Sequence, residues 1–168
     1  MATTHSWTEG NGSGAGTLTA NRTDSNWKNI DDSTSAYSSY PINSSTNSNS
    51  FSKYQCIIFS GTWNSLSALT YKIDNNNPAT GLSIVGSVVT SGATPSTVAT
   101  GDSAMSTTGL SANFVSSSTP YGTGTSSSTA SGTIYANMLR TQLQTTSGYA
   151  AGVGDIASRT ITASWTES

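Results

Sequence analysis

Charge is scarce in this chain. Only 8% of its 168 residues are Asp, Glu, Lys or Arg, with eight acids against six bases and a net charge of −2. The six cations, Arg22, Lys28, Lys53, Lys72, Arg140 and Arg159, are scattered along the sequence. Neutralising a phosphate backbone needs them clustered, so nucleic acid is excluded as the expected partner. Long apolar runs are missing too, and nothing approaches the span of a transmembrane helix. The opening MATTHSWTEGNGSG has neither the basic start nor the apolar stretch of a signal peptide, which predicts release in a cytoplasm and no membrane partner. Cysteine occurs once, so no intramolecular disulfide can form. Cys56 lies in an apolar stretch, where a thiol behaves as a small hydrophobe.

The residues of catalysis are equally thin. His5 is the sole histidine, and the many serines include no Gly-x-Ser-x-Gly elbow, so no oriented base-nucleophile pair is readable. Among the acids only Asp31 and Asp32 are adjacent, and adjacent strand residues face opposite sides. Asp74-Asn-Asn-Asn-Pro78 offers oxygen ligands, but one carboxylate without EF-hand spacing reads as a turn rather than a calcium site. The glycine runs GNGSGAG and YGTGTS lack the lysine and strand-then-helix setting of a phosphate loop. These readings predict no enzyme, no metal and no cofactor.

What the chain does contain is hydroxyls and aromatics. Roughly a third of it is Ser plus Thr, while hydrophobic residues make up 33% and include four Trp and seven Tyr. Disordered chains combine low apolar content with high net charge and few aromatics, and this one does not. Ser and Thr beside β-branched and aromatic residues suit the exposed faces of strands. The expected class is all-β: a single-domain antiparallel β-sandwich, jelly-roll or Ig-like, with long polar loops. Residues 1–16 read as a flexible Gly/Ser-rich arm and 17–168 as the sandwich domain. Trp7 is the arm's one anchor, either packing on its own domain's edge or docking on a neighbouring subunit.

The apolar content gathers in Phe51–Ile73. Phe51 to Ser60 reads as a strand that Gly61 breaks, and Leu69–Ile73 alternates as another. Between them Trp63, Leu66 and Leu69 recur every three residues, which fits a helical turn or irregular coil. Upstream, TLTANR from Thr17 alternates as a strand, Asp31 and Asp32 open a polar turn, and Tyr37 to Ile42 makes a short extended piece. Downstream, Leu82–Val89 is a strand. TIYANMLRTQLQTT is ambiguous, but its flanking glycine and β-rich context favour strand. Arg159–Thr166 alternates most cleanly, with Ile161, Ala163 and Trp165 on one face. The predicted core is Trp27, Phe51, Tyr54, Ile57, Phe59, Trp63, Leu69, Tyr71, Leu139, Ile161 and Trp165.

NWKNIDD, followed by SFSKYQCIIFSGTWNSL and the alternating LTYKI, resembles the structural proteins of tailed-phage virions. The Gln-Leu-Gln segment, a Gly-rich loop and the final Thr-Ile-Thr-x-x-aromatic strand are similar to the ending of the same proteins. Trp165 stands where those proteins often carry a polar residue, Tyr or Phe, and Cys56 is not a signature of theirs. The resemblance implies a β-sandwich on the outside of the particle, most simply a capsid decoration protein. Its partners would be the major capsid protein or other virion proteins, it would form a homo-oligomer, and its location would be the virion, assembled in the host cytoplasm. The N-terminal arm through Trp7 is the expected contact. The alternative is a host- or glycan-binding module of a fibre, knob or tail tip, with Tyr121 and Tyr149 either stacking on sugars or tucked back on the sandwich.

Overall fold

The apolar stretch at 51–73 folds as two strands that belong to different sheets. The computed structural model describes residues 3–11, 17–22, 26–42, 48–64, 66–73, 81–89, 114–115, 130–135, 138–145 and 159–168. Its strands are β1 (Thr3–Asn11), β2 (Thr17–Ala20), β3 (Ser48–Asn49), β4 (Lys53–Trp63), β5 (Leu66–Ile73), β6 (Leu82–Val89), β7 (Phe114–Val115), β8 (Ala130–Tyr135), β9 (Met138–Thr145) and β10 (Ile161–Glu167). A 3-10 turn at Tyr37–Ser39 replaces the extended piece expected there, and among the described residues there is no longer helix. The protein is all-β, and every strand pair is antiparallel.

Seven strands form one sheet, in which β4 is central. On one side β4 pairs with β1 from Thr3↔Gly61 to Gly10↔Tyr54. On the other it pairs with β9 near its start and with β8 along its second half. β2 extends the sheet beyond β1, and β6 beyond β9. The second sheet has three strands in the order β10-β5-β7.

Gly61 does not end β4. The strand runs through it to Trp63, with Gly61 at φ 116°, a backbone that glycine alone adopts without strain. Nor does 63–69 form a helical turn. Trp63 closes β4 and Leu66 opens β5, so the three-residue spacing marks a corner where the chain changes sheets. Both side chains are buried there. The backbone N–H of Asn64 in that corner donates to Ser168 O at 2.7 Å.

Directly opposed residues on antiparallel strands share a face, which sorts the large sheet's side chains. Trp7, Ile57, Phe59, Trp63, Leu139, Leu143 and Ile84 fall on the inner face. There the buried members join Leu66, Tyr71 and Ile73 of β5 in one cluster. Aromatic pairs cross between the sheets: Trp7 to Tyr71 with ring centroids 5.8 Å apart, and Phe59 to Trp165 at 5.1 Å, edge to face. Tyr54, Cys56 and Ile58 form a smaller cluster on the opposite face. Burial pushes the Cys56 thiol up to about 12 and the Tyr71 phenol above its usual range.

Of the expected core, Tyr54, Ile57, Phe59, Trp63, Tyr71 and Leu139 are buried. Trp27, Ile161 and Trp165 are partly buried against the main cluster, and Phe51 is half-buried. Leu69 lies in β5, its side chain outside what is described. The ambiguous stretch 133–146 is strand, as its context indicates, but divided between the end of β8 (Ala130–Tyr135), which also takes in Gly132, and β9 (Met138–Thr145); Leu82–Val89 is β6. The turn expected at Asp74–Pro78 falls outside the described residues.

Ser50 joins β3 to β4. Three residues, Ser50, Phe51 and Ser52, stand opposite two, Gln142 and Leu143, so the ladder bulges. The Ser50 hydroxyl accepts from Leu143 N at 3.0 Å and donates to Phe51 O, while Gln142 Nε2 donates to Ser50 O. A hydroxyl thus stands in for a ladder carbonyl.

Trp63 is 1% exposed, so Trp63→Ala leaves a cavity and should cost about 3–5 kcal/mol in chemical denaturation. A loss under about 1 kcal/mol, typical of surface changes, would put the ring outside the core.

Candidate functional site: an internal charge cluster

The inner face of the large sheet changes character beyond the aromatics. Glu9 follows Trp7 on β1, and Lys53 precedes Ile57 on β4, both on that same face by register. Strand alternation thus carries two charges inward next to the core. Lys53 Nζ donates to Glu9 Oε1 at 3.0 Å, and the two side chains are only 2% and 1% exposed. Arg22 Nε lies 3.9 Å from Glu9 Oε2. It is brought there because Asn21, at φ 56°, turns the chain out of β2 while Arg22 N still donates to Trp7 O. Asn tolerates that left-handed backbone better than most residues.

Residues 26–42 cover this polar end. Trp27 Nε1 donates to Thr141 Oγ1 at 3.1 Å, and Lys28 O accepts from Phe51 N. Lys28 Nζ pairs with the Asp32 carboxylate and donates to Ser35 O at 2.6 Å. Asp32 also accepts from the backbone N–H groups of Thr34 and Ser35 and from the Ser35 hydroxyl, the self-capping turn its sequence suggests. The Asp32 carbonyl then accepts from Lys53 Nζ at 2.8 Å, which joins turn and sheet. Burial by itself would raise the Asp32 carboxyl, but the hydrogen bonds from Lys28 and Ser35 outweigh it and hold the group well below the usual carboxylate range.

Two carboxylates and three cations form two ion-paired groups, joined where Lys53 Nζ donates to the Asp32 carbonyl. Each carboxylate is already engaged by a cation, and Lys53 spends its ammonium on Glu9 and on a backbone carbonyl. Among the described residues no group of three or more His, Cys, Asp or Glu could hold a metal ion. No helix there is long and apolar enough to cross a membrane. The sequence placed these cations as scattered and Glu9 in a mobile arm. Its only available signal was the alternation His5-x-Trp7-x-Glu9, which reads as a strand once the glycines after it are discounted.

The residues singled out from sequence are distributed otherwise. Trp7 belongs to a strand and packs, half-buried, on the core of its own chain, so residues 3–11 form a strand of the large sheet rather than an arm. The extended backbone of β1, with β2 and β4 on either side, overrides the composition of the Gly-rich run that follows. Tyr121 and Tyr149 lie outside the described residues. His5 is exposed on β1, 4.8 Å from the Trp165 ring. Comparison with protein-family models, curated proteins and solved structures finds no match to this chain.

Removing one partner of a buried pair strands the other charge, so Glu9→Leu or Lys53→Met alone should cost about 3–5 kcal/mol. The double variant Glu9→Leu/Lys53→Met should cost much less than the sum, and additive losses would show the pair uncoupled. Asp32 sets a pH dependence. Its folded carboxyl lies below the unfolded value of about 3.9, so its stabilisation is complete above that value and drains away as the pH falls toward the folded one. The Tm gap between wild type and Asp32→Asn should therefore be widest near neutrality and close in acid. A gap constant from neutral pH into strong acid would contradict this.

Proposed function

We propose that the chain is a non-enzymatic structural protein of a tailed-phage virion, a single-domain β-sandwich that decorates the capsid by binding the major capsid protein or its neighbours. The observation that supports this most is where the charges go. Of the chain's fourteen ionisable Asp, Glu, Lys and Arg residues (eight acids, six bases), Glu9, Arg22, Lys28, Asp32 and Lys53 are drawn into the internal cluster. Among the described residues, exposed side chains such as Thr160, Thr162, Ser164 and Thr166 carry hydroxyls rather than charge. A hydroxyl-rich, charge-poor exterior suits association by shape and hydrogen bonding, as between virion subunits, better than electrostatic capture of nucleic acid.

The residues that carry the phage resemblance support the reading in a particular way. SFSKYQCIIFSGTW supplies the centre of the large sheet, so its likeness to virion proteins is a likeness in what builds the fold. Binding then rests on surface strands and loops, and the contact first expected at Trp7 moves away from the N-terminal strand.

Pelleting the purified chain with tailed-phage particles stripped of decoration tests the proposal. Saturable co-sedimentation, with no hit on a glycan array, is expected. Glycan binding without particle binding would replace decoration with receptor recognition.

A further inference from the structure

β10 is an edge strand of unusual chemistry. Among the described residues it pairs only with β5, and Thr162, Ser164 and Thr166 are exposed along it. It holds no proline or glycine, and its one charge is Glu167 at its end. Edges that must stay single are ordinarily blunted by one of these or by a bulge in the edge strand itself. Here the irregularity lies in the neighbour. Ser164 opposes Thr70 and Thr166 opposes Ser67, so one residue of β10 faces two of β5, and β10 stays regular. Its inward side chains Ile161, Ala163 and Trp165 pack on the core yet are only half-buried. The large sheet's other margin differs: Leu82, Ile84 and Val85 of β6 are buried.

We propose that β10 pairs with β10 of a second copy of this chain, antiparallel about a two-fold axis at Ser164. The strand is self-complementary in that register. Ser164 meets itself, Thr162 meets Thr166, and the small Ala163 meets the large Trp165 in both halves, as an isologous contact requires. Charge agrees. Glu167 falls opposite the other copy's Ile161 and diagonal to its Arg159, on the same face, which sets two carboxylate–guanidinium approaches. The Nε of Arg159 is buried and has no hydrogen-bond partner among the described residues. No other register about β10 aligns both the size pair and the opposite charges. The contact gives a surface to self-association and holds whether or not the chain coats a phage, since the purified protein alone reports it.

Sedimentation equilibrium on the full chain reads the first arm. Wild type should dimerise, and Thr162→Lys/Thr166→Lys, which sets like charges face to face across the axis, should weaken the dimer at least about tenfold, with the Tm unchanged at concentrations where both proteins are monomeric. Arg159→Glu should weaken it as well, and adding Glu167→Arg should restore it. The second arm is oxidation of Ser164→Cys. Opposed residues on antiparallel strands have Cα atoms about 4.5–5.5 Å apart, within disulfide reach, so the variant should cross-link rapidly to a dimer. Cys56, being buried, does not compete, and exposed Asn64→Cys is the control. A wild type monomeric at high concentration, or Ser164→Cys cross-linking no faster than the control, overturns the proposal.

Discussion

The ion pair between Glu9 and Lys53 is the constraint on which the rest of the inner architecture depends. Two charges this deeply buried are tolerable only if each is compensated, and the protein supplies the compensation from three directions. Arg22 arrives from the end of the first hairpin, the Asp32 carbonyl from the turn at 31–35, and Lys28 fastens that turn through Asp32. The N-terminal strand, the central strand and the 26–42 segment are therefore one unit. Moving any of them would leave a charge in an apolar interior, an outcome far costlier than losing a surface contact.

The same pair explains how so polar a chain closes its core. The inner face of the large sheet has two zones. Trp7, Ile57, Phe59, Trp63 and Leu139 meet the small sheet, and Glu9, Lys53 and Thr141 meet the covering segment, whose Trp27 bridges the zones by packing on one and donating to the other. A few aromatics suffice because they contact one another across the sheets, as Phe59 does with Trp165. Five of the fourteen charged residues are drawn into this polar zone. Among the described residues, the exposed face of β10 is hydroxyl, the kind of surface proposed here to meet other subunits.

Many of the strands' positions along the chain were legible in the sequence because period-two alternation is a local signal, whereas their order in the sheets was not. β10 was readable from Ile161, Ala163 and Trp165, and β6 from its Val/Ile content. Errors arose where local and long-range signals conflict. Trp63, Leu66 and Leu69 mimic a helical period because a corner between sheets buries the residues on both of its sides. β1 was hidden by the glycine-rich composition that follows it in the sequence, which says nothing of the strand before it. The charge cluster was legible only in fragments, the alternation His5-x-Trp7-x-Glu9 and the turn at Asp31 and Asp32. Its decisive pair joins residues 44 apart in sequence, and nothing in either neighbourhood marks a Glu or a Lys as inward-facing until the register of β1 on β4 is known.

The account stands or falls on β1 being a locked strand of the main sheet. Residue-resolved hydrogen exchange on the full chain measures this directly. The amides of β1 that bond to β4 should exchange only through global opening, with the same opening free energy as Ile57 and Phe59 of β4. If β1 exchanges freely while β4 stays protected, the N-terminal segment is a mobile arm after all and the buried pair does not hold it.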